Sequence, residues 1–523
     1  FVVGGDRQWL KCDGPDDALG QCMAEGANAF EIVYSASLLG PSKRPRELAP
    51  VSPDTVAPGT PWWTDEARIT TVDSADPADA ELAPVAVPAR VLLHGIDSVT
   101  TTPGRTYPAG KLRRLFAGDL NRHLWQVPVR LPVLDLDSVA GGLHPKEIVG
   151  GRQTVGLRLT GRDGLEYDFR PVVKQALMLP ERLRDGPVGD LFDDQMAAQL
   201  PFSAVVVASL QDALEISAPR PVAVVMPNDP RLGQYRALFA GRVGLFAVHA
   251  DERSGGRPGF GGYARIVGSD FAFDTVRTDP NSNFDGETYL RVRLLDFLVG
   301  DWDRHPGQWR WGRRIVDGKT TWRPIPEDRD WALGHIDGFT AAVARVVFPS
   351  YVGFADEFPP VARLARSARE IDRIILNQLE RGDFVSAARD VQAALPDSVI
   401  EAAVEELPAP FVALERARLV RGIRARRQQL AEYAEQYYRF LAREIDVHTY
   451  PKRRDVAGFT QLSPESARLR IRTGGREGQV TFERVIDGRD TRVVRLFIDP
   501  SEDEVVGHDG LPFDVDIVDE GPD

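Results

Sequence analysis

The period of the hydrophobic residues changes at Asp285, and that change constrains the fold more than any other feature of the chain. From residue 109 the apolar residues fall in short β-type runs at 127–133, 154–159 and 167–173, punctuated by Gly141, Gly142, Gly150, Gly151 and the turn pair Asp163-Gly164. Further runs at 204–210, 222–226 and 244–249 continue the pattern, and a twisted antiparallel sheet is the expected outcome. After Asp285, a suitable N-cap, Leu290, Leu294, Leu295, Phe297 and Leu298 recur at helical spacing. Amphipathic stretches at 361–379, 384–395, 399–407 and 411–445 follow, and alternation returns over 469–523. Strands first and helices after them predict an α+β fold with a small C-terminal β appendage.

A chain of 523 residues, 43% hydrophobic, has room for two or three domains. Residues 1–37 read as the tail of another domain and 38–108 as a linker rich in Pro, Ala and Asp. A β-rich unit over 109–250, a helical unit over 251–450 and the β appendage over 451–523 complete the expected organisation. The chain begins at Phe1 without an initiating Met or a basic, apolar leader, and reads as a fragment or a processed chain. No run approaches 18 consecutive apolar residues.

A formal charge of −13 argues against a general nucleic-acid partner, since phosphate neutralisation needs a clustered excess of Lys and Arg. One basic cluster, Arg416, Arg418, Arg421, Arg424, Arg426 and Arg427, reads as a solvated helix face rather than a lipid or phosphate patch. Cys12 and Cys22 lack CxxC spacing and neighbouring His, which disfavours a zinc site and leaves a local disulfide and two free thiols open. His144, His249, His335 and His448 are too scattered for a catalytic zinc, and neither a GxSxG elbow nor a GxxxxGK[ST] loop is present.

The chemistry concentrates in GDWDRHPGQWRW, which opens at Gly300, and in TWRPIPEDRD, which closes at Asp330. Asp301, Asp303, Asp328 and Asp330 lie there with His305, Gln308, Arg304 and Arg329, bracketed by Trp302, Trp309, Trp311, Trp322 and Trp331, which are expected to bury the acids. Hard cations prefer carboxylate and amide oxygens, and magnesium uses one or two carboxylates plus water and phosphate. An extended backbone over 321–330 would put Asp328 and Asp330 on one face, towards Asp303.

The run Asp303, Arg304, His305 with Gln308 five positions after the Asp resembles the DRHxxN catalytic loop of phosphatidylinositol 3- and 4-kinases and of the secretory-pathway kinases. The same layout is similar to that of HipA-type and CotH-type bacterial kinases. From about 108 to 447 the chain also resembles a family of bacterial envelope proteins sharing GDWDRHxxQWRW and PIPxDRDxxF, often beside a BamA-type outer-membrane β-barrel or a calcineurin-like phosphoesterase.

These resemblances imply a two-lobed protein-kinase-like domain that binds ATP and Mg2+ or Mn2+ and transfers phosphate to an unknown acceptor. They imply Asp303 as the catalytic base, assisted by His305, and Gln308 with Asp328 or Asp330 as metal ligands. They also imply a cell-envelope location, on the periplasmic side or at the outer membrane, with a β-barrel partner. On the nucleotide side, Gly150, Gly151 and Arg152 would form a phosphate-covering turn. Arg170 or Lys174, four residues apart and expected on one strand face, would pair the phosphates, and Asp194 would be their acidic partner. Residues 244–251 would form a hinge whose backbone, at Ala247, binds adenine. Gln308 stands where kinases place Asn, and Trp331-Ala332 follow Asp330 in place of a glycine, so an inactive kinase-like module is the alternative. A calcium-stabilised domain using Asp499, Asp503 and Asp509 is the third reading.

Overall fold

The computed structural model describes residues 98–520 apart from 105–106, 108–109, four positions between 112 and 117, 151–154, 175–195, 254–257, 340–344 and 346–348. It is a mixed α/β structure with several sheets. After the paired strands β1 (Ser98–Thr101) and β2 (Val129–Pro132), five antiparallel strands form one sheet in the order β3-β4-β5-β7-β6. They are β3 (Leu143–Val149), β4 (Gly156–Gly161), β5 (Glu166–Pro171), β6 (Val222–Val225) and β7 (Val243–Val248). Alternation aims Leu157, Leu159, Phe169, Phe246 and Val248 into a core that Tyr263, Ile266 and Ile325 share.

Residues 204–210 do not form the expected strand. They belong to helix α1 (Ser203–Ala213), where Val205, Val206, Val207 and Leu210 are all buried. A helix buried on every side has no polar face, so its sequence carries no 3.6 period to set it apart from a buried strand. Nor does the sheet-forming part end at Asp285. A second sheet, β8-β10-β11-β9, is built from β8 (Ile266–Gly268), β9 (Ser282–Phe284), β10 (Trp309–Val316) and β11 (Lys319–Pro326).

Between these strands run α2 (Ser269–Thr278) and α3 (Gly286–Val299). Asp285 caps α3, its Oδ1 accepting from the Thr288 amide at 3.0 Å. Gly300 ends α3 at φ 72°, a left-handed position where a Cβ would also sit 3.1 Å from the Arg426 guanidinium. The stretch 361–379 is interrupted at Ala365 and yields only short helices, the longest being α4 (Arg369–Ile375). Then come α5 (Arg381–Ala394), α6 (Asp397–Glu405) and the long α7 (Ala409–Ala442). One apolar core joins α1, α3, the tryptophans and α7.

The arginine cluster on α7 is mostly a solvated face. Arg416, Arg421 and Arg427 pair with Glu401 and Glu405, Asp356, and Asp397. Arg426 is the exception, wholly buried and donating to the Ala355 and Phe297 carbonyls at 2.7 and 3.0 Å. From Glu444 the chain is β again: β12 (Glu444–His448), β16 (Val493–Ile498) and β18 (Asp514–Asp519) form one sheet. The other contains β15 (Gln479–Asp487), β14 (Ser466–Thr473), β13 (Asp455–Ser463) and β17 (Glu504–Val506), with Leu469, Ile471, Ile486 and Leu496 between the sheets. No described helix is long and apolar enough to cross a membrane.

Candidate functional site

Hairpin register brings the two acid clusters together. Gly300 to Gln308 connects α3 to β10, β11 returns antiparallel with Trp309 opposite Pro326, and the Glu327 amide donates to the Gln308 carbonyl at 2.9 Å. All five tryptophans are buried, as expected, with Trp302 against Trp331 at 4.7 Å and Trp309 beside Trp311 at 6.1 Å.

The charged residues then sort into two layers. Asp301, Arg304 and Arg329 point inward and are buried. Arg329 pairs with Asp296 and, at 3.1 Å, with Asp301. Arg304 donates to the Glu327 and Asp328 carbonyls at 2.7 and 3.0 Å and stacks over Trp309 at 4.4 Å. Below them Arg293 joins Asp296 at 2.7 Å and Asp372 at 2.9 Å, and Tyr289 donates to Asp372. Burial pushes the Asp301 carboxyl upward against the pull of Arg304 and Arg329, whereas at Asp296 the charges of Arg329, Arg304 and Arg293 outweigh burial and hold the carboxyl low. This layer fixes the loop that carries the outer acids.

Asp303, His305, Gln308, Asp328 and Asp330 make up the outer, half-buried layer. The strand over 321–330 stops at Pro326. Asp328 takes φ 51°, and its Oδ1 accepts from the Asp330 amide at 3.2 Å, so a turn rather than strand alternation brings the two acids together. Arg170 and Lys174 do not share a strand face either, because β5 ends at Pro171. Both still reach the acids: Arg170 lies 3.8 Å from Asp328, and Lys174, 7% exposed, lies 2.7 Å from Asp330. Burial disfavours the Lys174 ammonium, but Asp330, Asp328 and, further off, Asp303 hold its pKa above the ordinary value. Burial opposes ionisation of Asp328 too, yet Lys174 and Arg170 hold it low. Asp330 is raised by burial and by the charge of Asp328.

His305 Nδ1 accepts from the Gly307 amide at 3.1 Å, and its Nε2 faces the Gln308 amide at 3.3 Å. His305 therefore positions Gln308.

Gly150 follows β3 at φ 83°. Val149 pairs with Gly156 and Leu157 with Phe169, so Gly150 lies at the end of the sheet from which Arg170 and Lys174 emerge. Gly151, Arg152 and Asp194 lie outside the described residues, as do Cys12 and Cys22. Ala247 sits within β7 opposite Asp168, at the other end of the strand.

There the fold assembles a cluster that sequence reasoning missed. Buried His249 pairs with Asp168 at 2.9 Å, Asp168 with Arg158 at 2.6 Å, and His249 also approaches Asp251 at 3.5 Å and Glu327 at 3.9 Å. Burial disfavours the imidazolium, but the hydrogen bonds it donates to Asp168 and Asp251 outweigh it and raise the pKa to about 9. Asp168 and Arg170 alternate onto one face of β5, a signal the sequence did contain. Glu327, Asp328 and Asp330 thus run alongside β5, meeting His249, Arg170 and Lys174 in turn.

Among the described residues no three His, Cys, Asp or Glu side chains form a metal cage by themselves. Carboxylates and an amide oxygen are donor types that magnesium takes, its other ligands coming from water and phosphate. In the C-terminal unit Asp503 is occupied by other partners, accepting from Thr449 at 2.7 Å and from the Asp455 and Asp499 amides at 2.8 and 3.0 Å.

No protein-family model matches the chain, and no curated protein is significantly similar to it. Among solved structures it is similar to the Helicobacter pylori proinflammatory kinase CtkA, at 10% identity over 55% of this chain and 96% of that one, with a TM-score of 0.29. It is also similar to a chain of the Shewanella oneidensis MR-1 toxin–antitoxin complex of HipA, HipB and operator DNA, at 13% identity over 56% and 67%, with a TM-score of 0.28. At scores this low neither likeness bears on fold or activity.

Proposed function

We propose that this chain is an atypical kinase-like phosphotransferase that binds ATP with Mg2+ or Mn2+. The observation that carries the reading is the path of the chain. Gly150 precedes β4, a buried lysine follows the third strand of its sheet, and helix α3 leads through Asp303 and Gln308 into a hairpin followed by Asp328 and Asp330. Kinases draw their phosphate-pairing lysine, catalytic acid and two metal ligands from this order of elements. The 2.7 Å contact of Lys174 with Asp330 supports it, since it joins the two ends of that path.

In this reading Lys174 and Arg170 pair with phosphate oxygens, while Asp328, Asp330 and the Gln308 Oε1 hold the metal, with His305 keeping the amide turned. The metal, when bound, neutralises charge on the transferring phosphoryl group. Asp303 orients the acceptor hydroxyl and takes its proton as the new O–P bond forms and the β–γ bridging bond breaks, releasing ADP. Catalysis is mainly positioning.

A second reading, an inactive module beside an outer-membrane barrel, is favoured by Gln308, by Trp331-Ala332 after Asp330 in place of a pair ending in glycine, and by the internal pairing of Lys174 with Asp330. The envelope location and the barrel partner belong to the proposal and rest on the sequence resemblance. Thermal-shift titration with ATP and Mg2+, followed by transfer assays with radiolabelled ATP on envelope extracts, separates the readings. A magnesium-dependent shift with transfer supports the enzyme, a shift without transfer supports the module, and no shift removes nucleotide binding altogether.

A further inference from the structure

From Asp301 to His305 the chain forms neither helix nor strand, so the peptides around Asp303 must find partners outside the ordinary ladders. The Asp301 amide is tied back to the Asp296 carbonyl at 2.8 Å, and the Gln308 amide donates to the His305 carbonyl at 2.9 Å. Trp302 and Arg304, the residues on either side of Asp303, pair with no other main-chain group among the described residues. One side chain serves both. The hydroxyl of half-buried Ser367 accepts from the Arg304 amide at 3.0 Å and donates to the Trp302 carbonyl. A hydroxyl has one donor and two acceptor lone pairs, so a single oxygen holds both groups at once.

Ser367 is itself delivered by an anchored element. It lies in the turn ahead of α4, between buried Ala365 and Ala368, and α4 carries Asp372, which Arg293 and Tyr289 of α3 hold in the interior. Stitching this turn to the loop needs only one of the two bonds. A bond before the acid and another after it restrain rotation of the residue between them, so the direction of the Asp303 side chain is set as well as its place.

We propose that Ser367 is a positioning residue of the transfer step. The proposal rests on the phosphotransfer reading, in which Asp303 takes the proton of the acceptor hydroxyl as the new O–P bond forms and the β–γ bridging bond breaks. Ser367 touches no reacting atom and gives up no proton. Its hydroxyl fixes the two residues that flank Asp303, and so aims the carboxylate at the place where the acceptor arrives. A misplacement of about 1 Å at such a group costs about 10²-fold, so a hydroxyl outside the reacting centre governs the rate. In the same reading nucleotide and metal are held by other groups, Lys174, Arg170, Gln308, Asp328 and Asp330, so ATP binding does not depend on it.

The test is transfer from radiolabelled ATP to envelope extracts by the full chain, with initial rates taken against ATP concentration. Ser367→Ala should lower kcat by about 10- to 10²-fold and leave KM for ATP within about twofold of the parent. Ser367→Thr, which keeps a hydroxyl, should recover most of the rate. In an Asp303→Ala background Ser367→Ala should cost nothing further, because there is no carboxylate left to aim. If Ser367→Ala fails to fold, Ser367→Cys, whose thiol is a weaker donor and acceptor, should show the same lowered kcat at unchanged KM. A parent rate in Ser367→Ala, a loss confined to KM, or a full further loss in the Asp303→Ala background would overturn the inference and leave the phosphotransfer reading standing. A parent chain that transfers nothing would remove that reading, and this role with it.

Discussion

Two ionic layers lie one above the other in this protein, built from the same residue types and in part from neighbouring residues, and they behave as different materials. In the lower layer Arg293, Asp296, Asp301, Arg304, Arg329 and Asp372 are buried, and their partners come from α3, α4 and the two loops. In the upper layer Asp328 and Asp330 are a quarter to a third exposed and face cations delivered from another sheet. Buried pairs cannot exchange partners without stranding a charge in a dry interior, whereas half-exposed pairs can trade a cation for a metal and a carboxylate for a phosphate. One layer holds the loop still, and the other is free to bind.

The largest break in that comparison should come from Asp296→Ala, which removes the carboxylate shared by the buried Arg293, Arg304 and Arg329. It should cost about 3–5 kcal/mol, read as a lowered midpoint in urea unfolding. Asp330→Asn should leave the melting temperature within about 3 °C of the parent, because Lys174 keeps Asp328 and Asp303 nearby, yet remove the magnesium-dependent ATP shift. Equal destabilisation by both variants would erase the distinction between the layers. Asp303→Ala should keep that shift and lower transfer by about 10²- to 10⁴-fold, the range for loss of a general base.

A smaller effect is expected from pH. The pKa of His249 is raised in the folded chain to about 9, against about 6.5 when unfolded. Its stabilisation is therefore complete below about pH 6.5 and is lost as pH rises towards 9. His249→Gln should flatten the stability profile across that window, and a profile unchanged by the substitution would remove His249 from the upper layer's support. Smallest of all, Arg416→Ala should leave the unfolding midpoint unchanged, since its pairs with Glu401 and Glu405 are on the surface.

Much of this was legible in the chain. The helical stripe after Asp285 marked α3, and the density of Asp, Arg and Trp in two short segments marked the site, because periodicity and composition are local properties. Residues 204–210 misled because a helix buried all round carries no period. The 321–330 stretch misled because the left-handed turn at Asp328 is compatible with the same letters as a strand. His249 was dismissed with three scattered histidines, since its partners Arg158, Asp168, Asp251 and Glu327 come from four separate segments.

The sequence by itself determined which residues are able to carry charge into the site, and that Asp303 and Gln308 precede Asp328 and Asp330 in two short clusters. Only the tertiary structure decided which of those charges face inward and which outward. Asp301 and Asp303 stand two residues apart in one motif, and nothing in the letters separates a buried strut from a half-buried acid. That assignment depends on which groups arrive from α3, β5 and β7 to neutralise each one, and burial with its compensation is a property of the assembled neighbourhood.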